Sequence, residues 1–299
     1  RRRLKHARRR SPRALTLVGA MQEWLRGIGT RGVERTLVMG IVNLTPDSFS
    51  DGGELFSGSS VDLDRVLNSV GDMLEAGVDL VDVGGESTRP GASPVGVAEE
   101  LDRVIAAITA IKRRFDVPVS IDTSRPEVID AAAAAGAELI NDVRALQRPG
   151  ALAAAVDSGL PVCLMHMQNQ PSTMQSQPQY VDVVGEVKGF LMQRREQCIA
   201  AGIDARDILI DPGFGFGKTT AHNLTLFKAL DQLVAIGVPL LVGMSRKRMI
   251  GELLNASTDQ RLIGSVTMAL LAAQKGAAIV RVHDVTETVQ ALKMLHHCE

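Results

Sequence analysis

Val38-Met-Gly-Ile-Val-Asn43-Leu-Thr-Pro-Asp-Ser-Phe-Ser-Asp51-Gly-Gly53 decides how this chain is read. It opens as an apolar, β-branched run that reads as a buried strand. After Asn43 it breaks into a polar loop with Pro46, Asp47, Asp51 and two glycines. Roughly sixteen residues pass before the next helical pattern, and loops that long inside a compact domain are usually lids, binding loops or disordered segments. Seven further short apolar runs follow the 37–43 one: 79–84, 117–122, 138–142, 161–166, 208–212, 239–245 and 278–283. Between them lie segments of helical periodicity: 61–76, 97–115, 126–135, 150–158, 180–201, 222–236, 246–254 with 259–275, and 285–297. Many of these stop at a glycine before the next run, at Gly77, Gly136, Gly159, Gly202, Gly237 and Gly276.

Eight strands, each followed by a helix, imply an all-parallel sheet with crossovers. Unbroken apolar runs fit strands covered on both faces. Eight such units in about 260 residues match the size of a (β/α)8 TIM barrel. An open doubly wound sheet would usually carry a glycine-rich phosphate turn after its first strand, and none stands there. The expectation is an α/β chain with one barrel domain over 37–299, preceded by a basic extension over 1–36.

Composition sets the bounds. With 299 residues, 45% hydrophobic and 22% charged, the chain can bury a full globular core. No apolar segment reaches eighteen residues, so no membrane span is expected. Cys163, Cys198 and Cys298 form no CxxC pair, which suits a reducing cytoplasm rather than a disulfide scaffold. Residues 1–36 hold eleven Lys/Arg against Glu23 and Glu34, leaving 22 basic and 32 acidic residues beyond them. Such a start suits a nucleic-acid arm, a transit peptide or a solvated tail. A partly disordered, solvated extension outside the fold is the reading adopted. An acidic body with one Trp and one Tyr argues against nucleic-acid binding.

A barrel gathers functional groups at the C-terminal ends of its strands. Those ends carry Asn43, Asp82, the 85–91 loop, Asp122, Asn141, Met165-His166-Met167, Asp211, Ser245-Arg246-Lys247, and Arg281 with His283. Polar groups crowded at one mouth cost free energy unless a polar ligand partners them. Asp122, Asn141, Asp211 and Lys247 suit the edge of a flat heterocycle with amino and keto substituents, where a carboxylate meets an amidine-like N–H pair bidentately. Arg281 and His283 face one side of their strand and, with Asn43 and Arg89, suit a phosphate or pyrophosphate. Asn43 and Asp51 are hard oxygen ligands, and beside a pyrophosphate they suggest Mg²⁺. Met165 and Met167 share a strand face opposite His166, which fits a pocket wall and a packed core about equally. Gly213-Phe-Gly-Phe-Gly-Lys218-Thr219 resembles a P-loop, but Pro212 stands where the first glycine is required, so it reads as a pocket loop.

Asn43–Gly53 and Asp82-Val-Gly-Gly-Glu-Ser-Thr-Arg-Pro-Gly91 resemble the two signature segments of the dihydropteroate synthase family. Ser120-Ile-Asp-Thr-Ser124, Ile140-Asn-Asp142, Leu164-Met-His-Met167, Asp211–Lys218, Ser245-Arg-Lys247 and Arg281-Val-His-Asp284 match it in order, over roughly 37–295. The resemblance implies condensation of 6-hydroxymethyl-7,8-dihydropterin diphosphate with 4-aminobenzoate, giving 7,8-dihydropteroate and pyrophosphate. It implies that Asp122, Asn141, Met165, Asp211, Phe216 and Lys247 bind the pterin. Asn43, Arg89, Arg281 and His283 would hold the diphosphate, with Mg²⁺ on Asn43. Phe49, Asp51, Thr88, Arg89, Pro90 and Arg248 would form the aminobenzoate site and its lid. Asp122, Lys247, Arg281 and His283 would carry a dissociative, SN1-like step, and sulfonamides would compete with aminobenzoate. Many members carry Ser after the lysine; here it is Arg248. A homodimer is expected, with 259–275 (Leu262, Met268, Leu271) a candidate surface. A methyltetrahydrofolate:corrinoid methyltransferase barrel would share the pterin contacts without needing a diphosphate site. A non-catalytic pterin-binding protein would have lost some strand-end groups.

Overall fold

The computed structural model describes residues 21–27, 35–45, 56–57, 60–87, 95–169, 174 and 178–298. Eight parallel strands are found among them: β1 (Leu37–Asn43), β2 (Leu80–Gly84), β3 (Val119–Asp122), β4 (Leu139–Asp142), β5 (Val162–Met165), β6 (Ile208–Asp211), β7 (Leu241–Val242) and β8 (Ile279–Val282). Their order is β6-β5-β4-β3-β2-β1-β8-β7. A parallel bridge between Ile210 and Leu240, with the Ile210 N–H donating to Pro239 O at 3.0 Å, joins β6 to β7 and closes the ring. The expected (β/α)8 barrel is the observed fold.

The helices are α1 (Leu63–Ala76), α2 (Val97–Arg114), α3 (Pro126–Ala135), α4 (Ala151–Ser158), α5 (Val183–Ala201), α6 (Thr220–Lys228), α7 (Leu230–Val234), α8 (Arg248–Leu254), α9 (Leu262–Gln274) and α10 (Val285–Cys298). Local chemistry sets their ends. The Asp62 carboxylate accepts from Arg65 N at the start of α1, and Asp182 accepts from Val184 N and Gly185 N at the start of α5. Gly77 and Gly202 close the same helices in the left-handed conformation, at φ 98° and 114°.

Strand parity positions the site. Val38 and Val42 of β1, Val81 and Val83 of β2, and Ile121 of β3 join the core shared with the surrounding helices. The alternate residues point into the barrel. Leu37, Met39, Leu80, Leu139, Cys163, Leu209, Leu241 and Ile279 form a separate apolar layer near its N-terminal end. Toward the C-terminal ends of the strands the inward side chains include polar ones, Asn43, Asp82, Asp122, Asn141, Asp211 and Arg281.

The lower layer corrects one expectation. Residues 21–27, placed outside the fold from composition, are helical, and Met21 and Leu25 pack into this cluster with Trp24 against it. Arg26 donates from Nε and Nη2 to Asp207 at 3.0 and 2.9 Å, and Gln22 Nε2 donates to Gly159 O at 3.0 Å. Arginine counts drew the boundary at 36, while a seven-residue stretch of sequence spaces Met21 and Leu25 one helical turn apart, which is enough to plug the barrel base.

Candidate active site

A cavity of about 460 Å³ opens at the C-terminal ends of the strands. Asn43, Asp122, Asn141, Met165, Asp211, Phe216, Lys247, Arg248, Arg281 and His283 all line it, as the strand-end argument requires. Phe49, Asp51, Thr88, Arg89 and Pro90 lie outside the described residues.

Asp211 and Lys247 form one wall. The Gly213 N–H donates to Asp211 Oδ1 at 2.7 Å. Burial pushes the Asp211 carboxyl up to about 6, against the Gly213 hydrogen bond and the charges of Lys247, Lys218 and Arg281. Lys247 Nζ sits 4.2 Å from the centre of the Phe216 ring, a cation–π contact that holds the ammonium toward the cavity. Its backbone is set by Arg246, which adopts a left-handed φ of 56°. Arg246 is tied by N–H donation to Ser265 Oγ at 2.9 Å and by a forked ion pair to Asp284, with Nη2–Oδ1 at 2.5 Å. Those fixed partners explain why a non-glycine residue holds that conformation.

Asp122 and Arg281 were assigned to different halves of the ligand, and the structure joins them. Arg281 Nη2 donates to Asp122 Oδ2 at 3.0 Å and its Nε to Asp82 Oδ2 at 2.6 Å. Asn141 Nδ2 donates to the same Asp82 oxygen at 3.0 Å. Burial raises the Asp122 carboxyl, Arg281 opposes this, and Asp82 adds to it. For Arg281, burial is outweighed by Asp82 and Asp122, so the guanidinium stays charged.

His283 lies just past β8. Its backbone N–H donates to Ser245 Oγ at 3.1 Å, and its Nδ1 lies 3.0 Å from the same oxygen. The Ser245 hydroxyl, which can donate to Nδ1 or accept from it, fixes the ring's orientation at the cavity wall. Arg248 is 76% exposed at the rim, paired through Nε to Glu252 Oε1 at 2.7 Å.

Met165 lines the cavity, while His166 turns to the opposite side, as the strand parity requires. His166 is buried against Phe190, with ring centres 5.0 Å apart, and Lys218 Nζ approaches its Nδ1 to 2.9 Å. Burial and Lys218 together hold the imidazole down to about 3, so it is neutral and accepts from the lysine. Lys218 Nζ also donates to Gly213 O at 2.9 Å and Phe216 O at 3.1 Å. The glycine-rich segment is thus a pocket loop pinned by its own lysine. Burial pulls that lysine down to about 7, against Asp211.

Comparison with known proteins decides the family. Residues 39–283 match the model for pterin binding enzymes. The dihydropteroate synthase of Escherichia coli K12 is 53% identical over 258 residues, covering 86% of this chain and 90% of that protein. The chain belongs to the dihydropteroate synthase family. A Yersinia pestis member solved with a sulfonamide drug superposes with a TM-score of 0.86 at 53% identity, covering 89% of this chain and 95% of that one. A Xanthomonas albilineans member solved with 7,8-dihydropteroate superposes at 0.79 with 48% identity, covering 89% and 94%.

Family motifs alone left several of its site neighbours unassigned. Asp82 interrupts an otherwise apolar run at an inward position, a signal visible in the sequence. Glu86, at the cavity edge, is held by Arg144 Nη1 at 3.4 Å and Arg125 Nη2 at 3.7 Å. Glu100, wholly buried on α2, accepts from Thr123 Oγ1 at 2.6 Å. Nothing in the helical pattern of α2 marks that glutamate as buried.

Proposed function

We infer that this chain catalyses the dihydropteroate synthase reaction, joining 6-hydroxymethyl-7,8-dihydropterin diphosphate to 4-aminobenzoate with release of pyrophosphate. The observation that carries the reading is the convergence of Asp122, Asn141, Asp211 and Lys247 on one cavity beside Arg281 and His283. Asp211 and Asn141 meet the amino and ring N–H edge of the pterin, and Lys247 meets its keto oxygen. The Asp211 carboxyl ionises more readily once a donor pair replaces the missing water. Met165 and Phe216 cover the ring faces.

Arg281 and the His283 imidazole face the diphosphate and stabilise the charge that grows on it as the methylene C–O bond breaks. Asp122 favours the cation left on the pterin methylene, and the aminobenzoate amine then attacks that carbon. Arg248, at the cavity rim, would meet the aminobenzoate, a role that the sequence resemblance also gives to Phe49, Asp51, Thr88, Arg89 and Pro90. Among the described residues no three His, Cys, Asp or Glu side chains converge on a metal. Asn43, at the cavity wall, would hold Mg²⁺ through its amide oxygen, and the ion would neutralise leaving-group charge.

Sulfonamides would occupy the aminobenzoate end. The chain would act in the cytoplasm; among the described residues no helix is long and apolar enough to cross a membrane. A homodimer would use the apolar stripe of Ile263 (74% exposed) and Leu271 on α9 with Leu253 and Leu254 on α8.

Pyrophosphate release with the pterin diphosphate, Mg²⁺ and 4-aminobenzoate tests the reading. Release that requires all three, and is suppressed by a sulfonamide, is expected. No release refutes the assignment; release indifferent to the drug refutes only the sulfonamide part.

A further inference from the structure

Asp82 is a charged group at the barrel mouth with no exposed surface. A single oxygen, Oδ2, takes the Arg281 Nε–H at 2.6 Å and the Asn141 amide N–H at 3.0 Å. These donors come from β8 and β4, on either side of β2 and its neighbours. Its other oxygen, Oδ1, is buried and has no hydrogen-bond partner among the described residues. A carboxylate held this way is costly, and packing gives no reason to keep it. An apolar side chain at the same inward position would extend the layer of Leu80 below it.

We propose that Asp82 is a positioning residue for the condensation. Its one oxygen fixes Arg281 for the diphosphate and Asn141 for the pterin, and so sets the two ends of the substrate in register. The proposal rests on the reading of the cavity as a pterin diphosphate site. Arg281 spans two acids, with Nε on Asp82 and Nη2 on Asp122. Asp82 therefore keeps Arg281 from collapsing wholly onto Asp122, which the substrate needs. When the pterin takes Asp122, Arg281 stays anchored by Nε and its remaining N–H groups can turn to the diphosphate.

Asp82 also sets the field at Asp122. The groups facing that carboxyl are Arg281 from β8, Asp82 from β2, Asp142 from β4 and Glu100 from α2. Asp82, Asp142 and Glu100 raise it, and Arg281 lowers it. Removing the Asp82 charge moves Asp122 toward ordinary acidity.

The test is a double-mutant cycle with Asp82→Asn, Arg281→Gln and the double variant, measured as kcat/KM for the pterin diphosphate. Asparagine keeps the shape and one acceptor oxygen and removes the charge. Wild-type turnover comes first: its absence would retire the reading of the site, whereas the cycle judges Asp82 alone. Asp82→Asn is expected to lose at least about tenfold, and much less in the Arg281→Gln background, because coupled residues are not additive. The acidic limb of its kcat/KM profile should also move to lower pH, a shift that simple loosening of the fold would not impose at unchanged melting temperature. Additive losses, or an unmoved limb, overturn the proposal. Should Asp82→Asn not fold, the double variant removes the buried acid together with its cation and avoids an uncompensated charge. A loss of tenfold or more between Arg281→Gln and the double variant would then overturn it.

Discussion

Replacing Asp211 by Asn should make the folded protein more stable and the enzyme far worse. Asp211 is 6% exposed, and burial lifts its carboxyl from 3.8 to about 6. A raised carboxyl disfavours the ionised form in the fold. Its contribution to stability is intact below pH 3.8, declines as pH rises toward 6, and is lost above that. A shift of about two pKa units corresponds to roughly 3 kcal/mol at pH 8. Asparagine resembles the protonated acid and can still accept from the Gly213 N–H, so it recovers most of that sum. For a domain this size the gain is about 5–10 °C in melting temperature. Differential scanning calorimetry without ligand, from pH 4 to pH 8, should show the two proteins nearly alike at the acid end, diverging through about pH 4–6 and holding a constant difference above that. The same variant loses the charge-assisted contact to the pterin and should drop kcat/KM by about 100-fold or more. An Asn variant no more stable than wild type at pH 8, or one equally stabilised at pH 4, would refute the reasoning.

Four further outcomes follow from single contacts. Phe216→Ala removes the ring beneath Lys247, and a cation–π contact of about 1 kcal/mol should appear as a roughly fivefold higher KM for the pterin diphosphate, read by steady-state kinetics. Gly213→Ala sets a Cβ 1.9 Å from His166 O at a φ of 68°, so the loop must shift. A loss of about 3 kcal/mol or more is expected in urea unfolding, with poor soluble yield. Leu25→Ala should cost about 2–4 kcal/mol in the same unfolding measurement while leaving KM unchanged, because Leu25 is 1% exposed in the base cluster, far from the cavity. Arg26→Ala, whose side chain is 39% exposed in its pair with Asp207, should cost under about 1 kcal/mol.

The fold was legible because the two periodicities are strong. Runs such as Leu37–Val42 and Val162–Met165 are apolar on both faces, and glycines such as Gly77 and Gly202 mark where helices end. The cavity was legible for a related reason: a polar residue at an inward position near the end of an apolar run has little else to do. Two things were hidden. Pairing between Asp122 and Arg281 crosses from β3 to β8, 159 residues apart, and only barrel closure brings them together. The helical turn over 21–27 was hidden by the arginines around it, since net charge says nothing about two apolar side chains spaced one turn apart. Glu100 is a third kind of miss, a charged residue in the first turn of α2 that reads as solvated and is in fact buried beneath Thr123.

The two inner layers of the barrel explain each other. The upper layer brings Asp82, Asp122 and Asp211 together with Arg281 in a space from which solvent is largely excluded, and burial opposes the charge on Asp122 and Asp211. Such a layer is destabilising without ligand, and it binds well for that reason: a substrate that supplies donors to the acids and an anion to the arginine relieves the penalty on binding. The lower layer offsets it with wholly apolar burial at Met39, Leu80, Leu139, Leu209 and Ile279, capped by Met21 and Leu25. Polar substitutions in the lower layer should therefore act on folding alone, and neutralising Asp211, which has no ion pair among the described residues, should trade activity for stability in the upper one. Asp211→Asn and Leu25→Ala separate the two layers: the first should raise the melting temperature and lower kcat/KM, the second should lower the melting temperature and leave KM where it was.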